Sequence, residues 1–178
     1  DYWKDKFETI ADSIIEKIKE LKSGDLLKLY CREFSAECLK LVTGLTNMTA
    51  TEMDRVSQGM IDGCSNYTGD SAIETYCNNC TESIDMHINE IVGELSNNPD
   101  FSMISTMLEG ELSATQISAN VKLAISGGQN EPRDAIAGCI WTALNFKLKE
   151  FLLQKNNWDQ LFNEYCRWMS PIGMSPRE

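Results

Sequence analysis

Apolar residues recur along this chain at steps of three and four, the spacing that lines one face of an α-helix. Phe7, Ile10, Ile14, Ile18 and Leu21 form the first stripe, with Lys and Glu opposite. Gly24 is placed to end that helix and Asp25 to cap the next, which carries Leu26, Leu29, Tyr30, Phe34 and Leu41. Thr49-x-x-Glu52 has the spacing of a capping box and opens a third helix through Met53, Val56 and Met60. No stretch alternates convincingly as a strand would. The pattern predicts an all-α fold.

The turn-rich "SNYTGD", 65 to 70, leads into a long helix with Ile73, Cys77, Cys80, Ile84, His87 and Ile91 on one face. "SNNPD" closes it, and a short helix is expected over roughly 101 to 108. Ser113-x-x-Gln116 then caps a segment carrying Ile117, Val121, Ala124 and Ile125, which runs into "ISGGQNEPRDAIAG" and resumes with Ile136, Ile140, Trp141 and Leu144. Two further helices fit roughly 146 to 154 and 157 to 168, and "SPIGMSP" follows as a candidate extended strand. No boundary or repeat divides residues 1–178, so one domain is expected.

The glycines and proline inside that helical pattern raise a chemical question. Pro132 has no amide hydrogen, so the carbonyl of Gly128 loses its usual helical donor. Gly127 and Gly128 tolerate the distortion and leave room for something to approach the backbone. The product is a widened turn with a free acceptor, flanked by Asn130 and Glu131. Spacing alone fits a structural kink, or two helices joined by a Gly-Pro turn, better than it fits a site.

Charge and cysteines narrow the field. The formal net charge of -11 is spread over helical segments, and no basic stripe offsets its repulsion of nucleic-acid phosphate. No apolar run approaches the ~18 residues that would span a bilayer. Seven cysteines, an odd number in helical sequence, argue for free thiols in a reducing compartment, and a cytoplasmic location is expected. Cys77-x-x-Cys80 reads better as buried thiols than as a redox or zinc pair, and no second pair completes a metal site. Sequons at Asn47, Asn66 and Asn79 are about as many as chance gives, and the one histidine, His87, reads as a core or boundary residue. The opening "DYWKDKFETI" lacks a secretory pattern and an initiator methionine, so the chain is expected to start inside a longer protein.

The segment "ELSATQISANVKLAISGGQNEPRDAIAG" resembles the long distal helix of the cytochromes P-450, the haem-thiolate monooxygenases. A second motif agrees: "NEYCRWMSPIGMSP" contains Glu164-x-x-Arg167 followed by a proline-rich exit, similar to the family's E-x-x-R helix. The order and spacing of the two also fit. The resemblance implies the helical middle of that fold, less than half of a whole member, with residues 65 to 70 as the lid loop over substrate. It places Gly127, Gly128, Asn130 and Glu131 at the turn that handles oxygen and protons, with Asn130 and Glu131 where the family commonly has an acid-alcohol pair. Glu164 and Arg167 would be structural, and Met60, Ile61 and Tyr67 would face a small apolar substrate.

By the same resemblance the whole family member carries haem and takes electrons from a ferredoxin- or flavin-type protein. None of the seven cysteines sits in a thiolate-loop pattern, so this chain is expected to bind no haem itself and to be a truncated or non-catalytic piece. Helices meant to pack on the remainder would expose apolar faces, so self-association is expected. The rival is a helical protein-interaction bundle without enzymatic activity, because "NNWDQLFNEY" resembles the Trp-containing end of Bcl-2-like regulators; that fold wants an unbroken apolar central helix.

Overall fold

The structure, a computed structural model, describes residues 2–153 and 157–169. The fold is all-α; among the described residues there are nine α-helices and no strand. Helix α1 (Tyr2–Ile18) lies along the outside and buries only Ile14. It stops short of Leu21, which is half-exposed. Asp25 caps the next turn as its position predicts, its Oδ1 accepting from the amides of Leu27 (3.1 Å) and Lys28 (3.4 Å).

That turn is a π-turn, Leu27–Cys31, running directly into α2 (Arg32–Thr43). A π-turn carries an extra residue and so rotates everything after it about the helix axis. The core face of α2 is therefore Cys31, Ser35, Ala36, Leu39 and Thr43, whereas the expected stripe of Leu26, Leu29, Tyr30, Phe34 and Leu41 is half-buried or exposed. Gly44 ends α2 in the left-handed region (φ 94°), pressed against Ser102 and Leu95.

Helix α3 (Ala50–Cys64) begins on Thr49, whose hydroxyl accepts from the Glu52 amide at 3.1 Å. The Glu52 carboxylate does not complete the box; Arg55 and Ser83 engage it instead. Helix α4 (Ser71–Asn97) folds back on α3 in the most extensive helix pairing of the molecule. α5 (Met103–Glu109) follows, and Ser113 and Gln116 form a complete capping box at the start of α6 (Ala114–Gly128). α6 crosses α2, α3, α4 and α5, and Val121 and Ile125 meet Met53, Val56, Ile84 and Ile104 in a core with no solvent exposure.

The chain then runs into α7 (Asn130–Asn145), α8 (Lys149–Leu152) and α9 (Asn157–Met169). This arm buries little: Ala135, Leu152 and Leu161 are its buried apolar residues, while Trp141 and Leu144, expected to continue the apolar face, are 52% and 72% exposed. The contact of α7 with α9 relies on Gly138, where a Cβ would collide with the Tyr165 ring. The expected strand "SPIGMSP" lies outside the described residues.

Candidate functional site

The interruption is one residue wide. α6 ends at Gly128, α7 begins at Asn130, and Gln129 between them (φ -97°, ψ -52°) stays close to helical. Pro132 therefore falls in the first turn of α7, where a missing amide hydrogen costs least. The result is a kinked, nearly continuous helix.

Two serines repair the backbone around the kink. Ser57 Oγ on α3 donates to the Ile125 carbonyl at 3.2 Å, and Ser35 Oγ on α2 donates to the Gln129 carbonyl at 2.7 Å. The helical amide that should serve Gln129, from Arg133, reaches it only at 3.4 Å. Both serines are buried. A buried carbonyl without a donor costs about 1–3 kcal/mol, so these hydroxyls are what make the kink tolerable. Sequence reasoning missed them; the available signal was a hydroxyl residue one turn from Leu39 on α2 and one residue from Val56 on α3.

The side chains at the kink are less well served. Gln129 is fully buried; its Nε2 donates to Asp54 Oδ1 (3.3 Å) and to the Arg32 carbonyl (3.4 Å), but its Oε1 has no donor. Asn130 Oδ1 and Glu131 Oε2 are also buried oxygens without a partner. Successive helical residues point about 100° apart, so these three oxygens fan outward and do not converge on one ligand. Asp54 is balanced by two guanidinium groups, Arg32 and Arg133, each at 3.8 Å, and Arg133 also binds Asp134 at 2.7 Å. The hydrogen bond to Asp134, with the charges of Asp54 and Glu131 behind it, holds Arg133 more firmly protonated than usual.

The paired glycines do different things. A Cβ on Gly128 would lie 2.9 Å from the Leu39 side chain, so that residue permits close packing. A Cβ on Gly127 would meet nothing within 4 Å, so Gly127 leaves the backbone of α6 open on its exposed side. On the Gly128 side, an apolar pocket of about 240 Å³ runs past Phe7, Phe34, Cys38 and Pro132. Burial there pushes the Cys38 thiol up to about 12.

The remaining expected residues lie elsewhere. Glu164 and Arg167 form a two-pronged ion pair (2.7 and 2.6 Å) on the exposed face of α9. Met60 belongs to the same buried core as Ile125, Ile61 is half-buried on α3, and Tyr67, in the turn after α3, is 85% exposed. Cys80 is buried and Cys77 half-buried against α3. His87 sits at the core boundary with Nδ1 2.8 Å from the Ser83 carbonyl, so that nitrogen carries the proton. Among the described residues no three His, Cys, Asp or Glu side chains cluster as a metal site would, and no helix is long and apolar enough to cross a membrane.

No protein-family model matches the chain. Among solved structures, it is similar to a chain in the crystal structure of P450BioI in complex with hexadec-9Z-enoic acid ligated acyl carrier protein, with a TM-score of 0.79 at 13% identity. The match covers 94% of this chain and 45% of that one, so this chain spans less than half the length of the chain it resembles. At that identity the likeness is one of fold.

Proposed function

We propose that this chain is the distal helical portion of a cytochrome P-450-like protein, in which the α6–α7 kink forms one wall of a haem chamber. The observation that carries the reading is the coincidence of motif and geometry. The segment resembling the family's distal helix is kinked at its Gly-Gly-x-Asn-Glu-Pro sequence, with open space over Gly127 and unpaired buried oxygens on Asn130 and Glu131. The fold likeness to a chain of the P450BioI complex supports it. That matched chain is about twice as long as this one, which suits the P450 of that complex better than its carrier protein.

The residues present fit the distal side of such a group and not its ligand side. Haem held by a cysteine thiolate supplies oxygen activation in such a fold. Burial pushes the thiols of Cys31, Cys38, Cys77, Cys80 and Cys139 up, away from the thiolate form a metal ligand needs. None of the seven cysteines lies in the family's thiolate-loop pattern, so in this proposal the axial ligand comes from a part of the protein other than this segment, and this segment by itself is a non-catalytic piece. Within it, Gly127 keeps the α6 backbone approachable, and the buried Glu131 Oε2 is an acceptor without a partner. Asn130, where the family commonly has an acid, is neutral and carries no exchangeable acidic proton, so a proton entering this wall would have to be held at Glu131. A small apolar substrate and a ferredoxin- or flavin-type electron donor belong to this proposal for the whole protein, as does a cytoplasmic location.

The interaction-bundle reading has less support, because the central helix is interrupted at Gln129 by a run of polar residues. The deciding experiment uses the natural full-length product carrying this segment. It is expected to show the red-shifted Soret band of a thiolate-bound haem when reduced under carbon monoxide, and Gly127→Val is expected to weaken carbon monoxide binding. A full-length product that takes up no haem on reconstitution would end the proposal.

A further inference from the structure

Helices α3 and α4 meet along a seam of glycine against cysteine. On α3, Gly59 faces Cys80 and Gly63 faces Cys77, so closely that a Cβ on either glycine would overlap the opposing sulfur. A Cβ on Gly63 would also lie 2.7 Å from the Cys77 Cβ. The backbones therefore approach as near as the Cys77 and Cys80 side chains allow. The next residue after Gly63 is Cys64, the last of α3, and it is exposed. Cys77 is half-buried against Gly63, the residue just before Cys64; burial first, and the charge of Cys64 second, push the Cys77 thiol up. Cys80 differs: it is sealed in the core and accepts a contact from Arg55 Nη1 at 3.3 Å.

We propose that Cys64 and Cys77 form a thiol–disulfide exchange site whose oxidation staples the α3–α4 hairpin across the turn at residues 65 to 70. The oxidant is a low-molecular-weight disulfide of the glutathione class. The exposed Cys64 thiolate attacks one sulfur of that disulfide, forming a mixed disulfide and releasing one small thiolate. Cys77, having lost its proton to solvent, then attacks the Cys64 sulfur and expels the second small thiolate. Two protein thiols are oxidised, one small disulfide is reduced to two thiols, and the two protons lost by the protein are taken up by the products. A disulfide needs Cα atoms within about 7 Å, and the packing of Cys77 directly on Gly63 draws the α4 backbone to the chain position next to Cys64. Cys80 is excluded by burial. This inference does not depend on the proposed haem chamber.

The test incubates the whole 178-residue chain with oxidised glutathione and maps its peptides without reduction. The expected product has lost two hydrogens, joins Cys64 to Cys77, and melts at a higher temperature than the reduced chain. Cleavage within 65 to 70 leaves its two pieces linked until a reductant is added. Cys77→Ser is expected to stop at a glutathione adduct on Cys64 and to abolish the rise in Tm. The proposal is overturned by a stable glutathione adduct on Cys64 of the unaltered chain with no cross-link. It is equally overturned if oxidation joins Cys139 to Cys166 while Cys64 and Cys77 both remain open to alkylation.

Discussion

The α2–α6 half and the α7–α9 arm are both built from helices that carry large apolar residues, yet they use those residues differently. In the first, Met53, Val56, Ile84, Ile104 and Ile125 have no exposure, and even the irregular backbone is served by Ser35 and Ser57. In the second, Trp141, Leu144, Trp158, Phe162 and Trp168 are each about half-exposed or more. Apolar area returns free energy only when something covers it, at about 25 cal/mol per Å². The comparison separates a region that covers its own apolar faces from one that leaves them open to solvent.

The largest contrast should come from truncating one residue in each half. Ile84→Ala, inside the α3–α4–α6 core, is expected to cost about 3–4 kcal/mol in a denaturant melt. Leu144→Ala, on the exposed face of α7, should change stability by less than about 0.5 kcal/mol. Equal costs would mean that the arm is packed as tightly as the core, and the comparison would fail.

Next in size are the hydroxyls at the kink, where the two halves join. Ser57→Ala leaves the Ile125 carbonyl buried without its donor and should cost about 1–3 kcal/mol. Gln129→Leu removes an oxygen that has no partner, so thermal melting should show it to be near neutral if that amide only fills space. A loss for Gln129→Leu as large as that for Ser57→Ala would show that the contacts to Asp54 and Arg32 matter more than the orphaned oxygen.

Glycine substitutions sharpen the same comparison with a smaller effect. Gly59→Ala on the core seam must push Cys80 aside and should lose about 1–3 kcal/mol. Gly127→Ala opens onto free space and should gain up to about 1 kcal/mol from helix propensity.

The smallest expected effect is electrostatic and lies within the core half. Hydrogen bonds from Arg55, aided by Ser83, hold the Glu52 carboxyl below its usual range despite an opposing cost of burial. A carboxyl lowered on folding contributes stability that is full above its unfolded value, near about 4.3, and disappears as pH falls through the folded value. The pair is partly solvated, so the contribution is about 1 kcal/mol or less. Stability measured from pH 6 down to pH 3, about the range over which carboxyls titrate, should fall less steeply for Glu52→Gln than for the unaltered chain.

Much of this molecule was legible in one dimension. Periodicity located the helices, and the capping residues Asp25, Thr49 and Ser113 mark their starts because a cap acts through its immediate neighbours. The kink at "GGQNEP" was legible for the same local reason: proline and glycine act on the backbone that carries them. What the sequence could not decide was which apolar stripe becomes core. The π-turn before α2 rotated one face, and Trp141 and Leu144 found nothing to cover them. Nor could it show that hydroxyls from α2 and α3 would reach the carbonyls of Gln129 and Ile125, 94 and 68 positions further along the chain. Local rules set where helices begin and end; only packing, which depends on distant residues meeting, chose the buried face and supplied the kink with its donors.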